Sequence, residues 1–99
     1  MTPVIEPLQT VPDGYSLFQN YPNPFNPSTV IQFEVPRSGF VTLKVYDVLG
    51  RLVRTLVNKV EQPGSYTVTF DAPDLASGVY FYRLEAGTFT QTKKLMLIR

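Results

Sequence analysis

The chain has 99 residues, of which 43% are hydrophobic and 17% charged, with a formal net charge of +1 and neither histidine nor cysteine. That size suits one domain with one core, and the near-neutral balance offers no basic excess for nucleic acid or an anionic membrane. The missing residue types exclude imidazole acid–base catalysis, the Ser-His-Asp triad, thiol nucleophiles, ordinary zinc sites and disulfides.

Met1 to Gly14 holds Pro3, Pro7 and Pro12 among single apolar residues with no period, and reads as an extended lead-in. Met1 to Thr10 lacks the basic start and apolar middle of a signal peptide, and no apolar run approaches the roughly 20 residues of a membrane helix. Work outside the cell would therefore require an export signal on a preceding part of a longer polypeptide. The domain is expected to span Tyr15 to Arg99. Leu17 to Asn20 is a candidate first strand with Phe18 facing inward.

In the run from Asn20 to Thr29, Pro22, Pro24 and Pro27 lock φ and remove N–H donors, which excludes a helix and a central strand. An extended strap along a sheet edge remains, where proline blocks edge-to-edge pairing. Tyr21 and Phe25 are its only large apolar groups, and at least one is expected to pin it to the body of the domain. Asn23 and Asn26 precede prolines, and their amides can close side-chain-to-backbone turns.

From Thr29 to Val35, Ile31, Phe33 and Val35 alternate with Gln32 and Glu34, the period of a strand with one buried face. After Pro36 to Gly39, Val41, Leu43 and Val45 repeat that pattern, and the two strands are expected to pair as a hairpin. Asp47-Val48-Leu49-Gly50 suits a type I turn ending in a left-handed Gly50. In Leu52 to Val60, Val53 and Leu56 both look like core residues yet lie three apart. A bulge near Arg54 or Thr55 reconciles them, with one helical turn as the competing reading. Pro63-Gly64 suits a type II turn before Tyr66, Val68 and Phe70. Gly78 opens Val79 to Leu84, apolar on both faces and so expected to be a central strand covered on each side. Phe89 to Ile98 begins polar and ends in Leu95-Met96-Leu97-Ile98, buried or awaiting a partner. Seven or so short strands with regular turns and no helical period define an all-β, immunoglobulin-like antiparallel sandwich.

Little catalytic chemistry remains. Asp71 and Asp74 are the only close acid pair and read as loop and turn caps around Pro73, because neither a glycosidase pair nor a calcium loop is completed nearby. No glycine-rich loop precedes a helix, and no cofactor is implied. The six tyrosines and seven phenylalanines suggest a carbohydrate platform, for which Tyr46 and Tyr82 are the rings to test for exposure.

Four separated motifs occur in one order: Asn20 to Thr29, Val45-Tyr46-Asp47-Val48-Leu49-Gly50-Arg51, Ser77 to Leu84, and Lys93 to Arg99. Together they closely resemble the C-terminal sorting domain of type IX secretion, also called the Por secretion tail, over Tyr15 to Arg99. The sequence is also similar to the immunoglobulin-like domain of flagellar hook-capping proteins, where such sandwiches serve assembly. The sorting-domain resemblance implies a non-enzymatic targeting module behind an N-terminal cargo that reaches the periplasm by its own signal peptide. It implies recognition by an outer-membrane translocon, removal by a surface sortase-like protease, and a secreted or cell-surface destination, with no membrane insertion by the domain itself. Carried over by motif, recognition falls on Lys93, Lys94, Leu95, Met96, Leu97, Ile98 and Arg99. Tyr21, Pro22, Pro24, Phe25, Pro27 and Gly50 fall among the fold-forming residues, as do the Gly-x-Tyr pairs Gly64 with Tyr66 and Gly78 with Tyr80. The alternative is a surface-attachment or carbohydrate-binding module.

Overall fold

The computed structural model describes residues 11–99, so the first ten residues of the expected lead-in lie outside the described residues. Seven strands follow in chain order: β1 (Ser16–Leu17), β2 (Ser28–Val35), β3 (Gly39–Tyr46), β4 (Leu52–Glu61), β5 (Gly64–Asp71), β6 (Gly78–Ala86) and β7 (Phe89–Leu97). They form one sheet in the order β1-β2-β5 and another in the order β4-β3-β6-β7, with every strand pair antiparallel. This is an immunoglobulin-like sandwich with no helix among the described residues.

In β2 and β3 alternation places the core as the sequence predicts, and β6 adds Leu84 and Tyr82, a ring that the sequence left as a candidate for exposure. Ile31, Phe33 and Val35 of β2, Val41, Leu43 and Val45 of β3, and Tyr82 and Leu84 of β6 are all essentially inaccessible to solvent. Each strand has one apolar face, and two such faces bury each other without exposing backbone polar groups. The expected β2–β3 hairpin does not form. β2 pairs with β1 and β5, whereas β3 pairs with β4 and β6. Pro36, Arg37 and Ser38 carry the chain from one sheet to the other, so the two stripes meet across the core rather than side by side. Phe18 is also corrected. Leu17 takes the inward position, opposite Phe33, and Phe18 is exposed, because strand parity allows only one of two consecutive residues to face the core.

The β3–β4 hairpin matches its expected turn. The Gly50 N–H donates to the Asp47 carbonyl at 2.9 Å, and Gly50 adopts φ +81°. β4 contains two bulges rather than one. Leu43 pairs with Val57 and Lys44 with Thr55, leaving Leu56 extra; Val45 pairs with Arg54 and Tyr46 with Leu52, leaving Val53 extra. Each extra residue turns a side chain toward the core, which is how residues three apart both pack against it.

The two Gly-x-Tyr segments share one local geometry. Gly64 and Gly78 open their strands at φ +155° and +153°, values that an L side chain rarely adopts. Gly64 is therefore not at the roughly +80° of a type II turn. Two residues on, the Tyr66 hydroxyl donates to the Gln62 carbonyl and the Tyr80 hydroxyl to the Ala76 carbonyl, each four residues back. Each tyrosine thus ties the loop before its strand to the strand itself. Tyr66 also stacks on Phe33 at 5.3 Å.

Candidate functional site

β6 is central, between β3 and β7, so β7 is an edge strand. The outer face of β6 is only half-covered at Val79, Phe81 and Arg83, which corrects the expectation of cover on both sides. An edge strand presents unpaired N–H and C=O groups to any partner strand. In this domain the strap occupies much of that edge.

The strap begins on one sheet and ends on the other. Tyr21 exchanges backbone hydrogen bonds with Val30 of β2, at 3.0 and 2.9 Å. Phe25 then bridges β7 in parallel: its N–H donates to the Met96 carbonyl at 2.9 Å, and its carbonyl accepts from the Ile98 N–H at 3.0 Å. The Asn23 side-chain oxygen accepts the Met96 N–H at 3.0 Å, and the Gln19 amide donates to the Lys94 carbonyl at 2.7 Å. Asn23 therefore spends its amide on β7, not on a local turn. Of the two expected anchors, Phe25 is 1% exposed and packs on Phe70 with centroids 5.7 Å apart, while Tyr21 is 82% exposed.

A buried polar network holds the strap at its root. The Asn20 amide donates to the Pro22 carbonyl at 3.1 Å and to the Thr29 hydroxyl at 3.0 Å, and that hydroxyl donates to the Pro22 carbonyl at 2.8 Å. From β6, the Tyr82 hydroxyl accepts the Asn20 N–H at 2.8 Å and donates to the Phe18 carbonyl at 2.7 Å. Burial pushes the Tyr82 hydroxyl up to about 12, against the opposing effect of the Asn20 hydrogen bond. No linear motif joins Asn20, Thr29 and Tyr82. Asparagine, threonine and tyrosine carry no mark of burial, and only the crossing of strap and β6 brings residues 20 and 82 together.

Tyr82 is therefore no exposed platform: its ring is inaccessible to solvent. Tyr46 is half-buried with the Arg83 guanidinium 4.8 Å from its ring centroid, so the two tyrosines form no common sugar-stacking face. Asp71 and Asp74 serve different neighbours. Asp71 accepts from the Ser28 hydroxyl at 2.8 Å, and Asp74 pairs with Arg54 at 2.6 Å.

The seven residues from Lys93 to Arg99 divide by strand parity. Leu95 and Leu97 are core residues. Lys93 shares their phase and is half-buried, whereas Lys94, Met96, Ile98 and Arg99 are exposed. The Arg99 guanidinium donates to the Pro73 carbonyl, closing the chain end against the β5–β6 loop. At the opposite pole Tyr15 stacks on Phe89 with centroids 5.1 Å apart, and Arg37 lies over Tyr15 at 5.6 Å. β7 runs from the one pole to the other, a rise of about 27 Å for its length.

The described residues thus define an all-β sandwich module whose seventh strand is clamped at the sheet edge by Gln19, Asn23 and Phe25. The family model described as secretion system C-terminal sorting domain matches residues 19–98, and the chain belongs to that family, the sorting domains of type IX secretion. Membership implies a sorting signal for a fused N-terminal cargo and export through the outer membrane to the cell surface or medium. No curated protein and no solved structure matches the chain.

Proposed function

We propose that this domain is the non-catalytic export ticket of a longer polypeptide, read by an outer-membrane type IX translocon through its last strand. A sortase-like protease at the surface then removes it, cutting in the lead-in before Tyr15. The observation that carries this reading is the polarity of β7. A passenger joined ahead of Tyr15 leaves from the Phe89 pole, about 27 Å of strand away from Leu97, so even a bulky cargo leaves the Arg99 pole accessible. Recognition at Lys93 to Arg99 then falls to Lys94, Met96, Ile98 and Arg99, while Leu95 and Leu97 hold the strand in the core.

The test is a periplasm-directed reporter fused ahead of Thr2 to Arg99 in a bacterium that possesses type IX secretion. Deleting the whole tail would remove two core leucines, so the comparison is the double variant Lys94→Glu with Ile98→Ser, checked for folding by thermal unfolding. Reporter at the surface or in the medium with the native tail, and trapped in the periplasm with the variant, is the expected result. Periplasmic retention of the native fusion refutes the proposal.

A further inference from the structure

An apolar area is left half-open on the outer face of the β4-β3-β6-β7 sheet near the Arg99 pole, with Arg83 over its Tyr46 ring, while exposed Phe40 and Val60 pair on the same face toward the far pole. Register sets Leu52, Tyr46, Phe81 and Lys94 in a row across all four strands, and places Val79 opposite Met96 in the next outward step toward that pole. The inward positions of these strands belong to Val45, Tyr80, Tyr82, Leu95 and Leu97. Leu52 and Met96 are 51% and 39% exposed, and the hairpin tip adds exposed Val48 and Leu49. Single surface aliphatics need no explanation, but here Leu52, Tyr46 and Phe81 lie side by side with Val79 and Met96 in the next step, a grouping of the kind that interaction sites use.

The charge around it has one sign. Lys44 and Arg83 face each other in the adjoining row, and Lys94 ends the Leu52 row. Glu85 is the first carboxylate met on this face among the described residues, one row farther on and hydrogen-bonded to Thr42 at 3.4 Å. Near the hairpin tip, Asp47 is engaged by Arg51, and Asp74 by Arg54. Meanwhile the β7 edge cannot accept a strand over Lys94 to Ile98, since Gln19, Asn23 and Phe25 already hold those backbone groups. A partner must read side chains there.

We propose that this face docks a protein segment presenting an aliphatic or aromatic anchor flanked by carboxylates, so that the export machinery reads the folded sheet instead of adding a strand to β7. The proposal rests on the sorting reading above and deepens it. A second copy does not supply the complement, because its own copy of this face carries the same Lys44, Arg83 and Lys94 and has no carboxylate nearer than Glu85. A bilayer would take the protruding Val48-Leu49 tip and leave Val79 and Phe81, on the flat of the sheet, unserved.

The same reporter fusion tests it with Leu52→Glu, which lies outside Lys93 to Arg99 and outside the core. Burying an unpaired carboxylate in an apolar contact predicts a loss of export of about tenfold or more, with thermal unfolding close to that of the native fusion. Val30→Glu on the other sheet and Val60→Glu at the far pole of this one, both exposed aliphatics, are expected to export normally; Leu52→Ser replaces Leu52→Glu if the latter does not accumulate. Normal export of the Leu52 variant, together with loss in the Lys94→Glu/Ile98→Ser variant, overturns the docking face while leaving the sorting reading intact. Retention of the native fusion overturns both. Lys44→Glu, on this face but outside Lys93 to Arg99, is expected to lose export as well, and normal export there refutes an acidic partner. Finally, the full chain is expected not to sediment with vesicles of phosphatidylglycerol and phosphatidylcholine. Sedimentation abolished by Leu52→Glu would put a membrane in place of the protein partner and overturn the proposal.

Discussion

Replacing Phe25 by alanine tests whether the strap is clamped by one ring. The side chain is fully buried against Phe70, and the backbone of the same residue makes the two backbone–backbone hydrogen bonds from the strap to Met96 and Ile98. Truncating a buried phenylalanine costs about 3–5 kcal/mol in transfer and cavity terms. A domain of this size has roughly 5–15 kcal/mol in total, so the variant stays folded in buffer but with little margin. At a urea slope of about 1.5 kcal/mol per molar, the midpoint should fall by about 2–3 M. Hydrogen exchange supplies the second reading. The Ile98 amide donates to the Phe25 carbonyl, so its protection should drop more than that of core amides on β3. Phe25→Leu, which retains an apolar anchor, should fall between. A loss under about 1 kcal/mol, with Ile98 protected as in the native chain, would show that the ring does not hold the strap and that the prolines alone set its path.

Tyr82→Phe should cost about 1–3 kcal/mol, because it leaves the buried Asn20 N–H without an acceptor; urea unfolding measures it, and no loss would mean that water or a shifted strap replaces the hydroxyl. The Tyr82 hydroxyl titrates near 12 in the folded state against about 10 when unfolded, so its contribution is complete below pH 10 and declines as pH rises toward 12, by roughly 1.4 kcal/mol per unit. The phenylalanine variant should lack that alkaline slope. Asp47 is held below its ordinary value chiefly by the Arg51 backbone N–H, with the Arg51 side chain and the Leu49 N–H adding to it against partial desolvation. Its contribution is therefore present above the ordinary carboxylate value and lost as pH falls through the lowered one, and Asp47→Asn should flatten the acid limb of a stability profile. Gly50→Ala should cost about 1 kcal/mol from the left-handed backbone alone, since nothing within 4 Å would crowd the added carbon; an unchanged melting temperature would show that the turn has rearranged.

Alternation in Thr29 to Val35, in Val41 to Val45 and in Tyr66 to Phe70 determined which side chains enter the core. That inference needs only the two-residue period of a strand. Three prolines between Tyr21 and Thr29 were enough to place that run on an edge, because a residue without an N–H cannot sit inside a ladder. Sequence also marked the Asp47 to Gly50 turn and the need for a bulge in β4. Tertiary structure alone decided the pairing. Nothing local tells Val35 whether its chain returns beside itself or crosses the core, and the crossing is what turned the expected β2–β3 hairpin into two facing sheets. The same crossing brought Asn20 to Tyr82 and Phe25 to Leu97, contacts between residues far apart in the chain whose value exists only once both sheets are in place. Parity then split Lys93 to Arg99 into buried and exposed residues, and register gathered Leu52, Tyr46, Phe81 and Met96 from four strands onto one face that no linear motif contains.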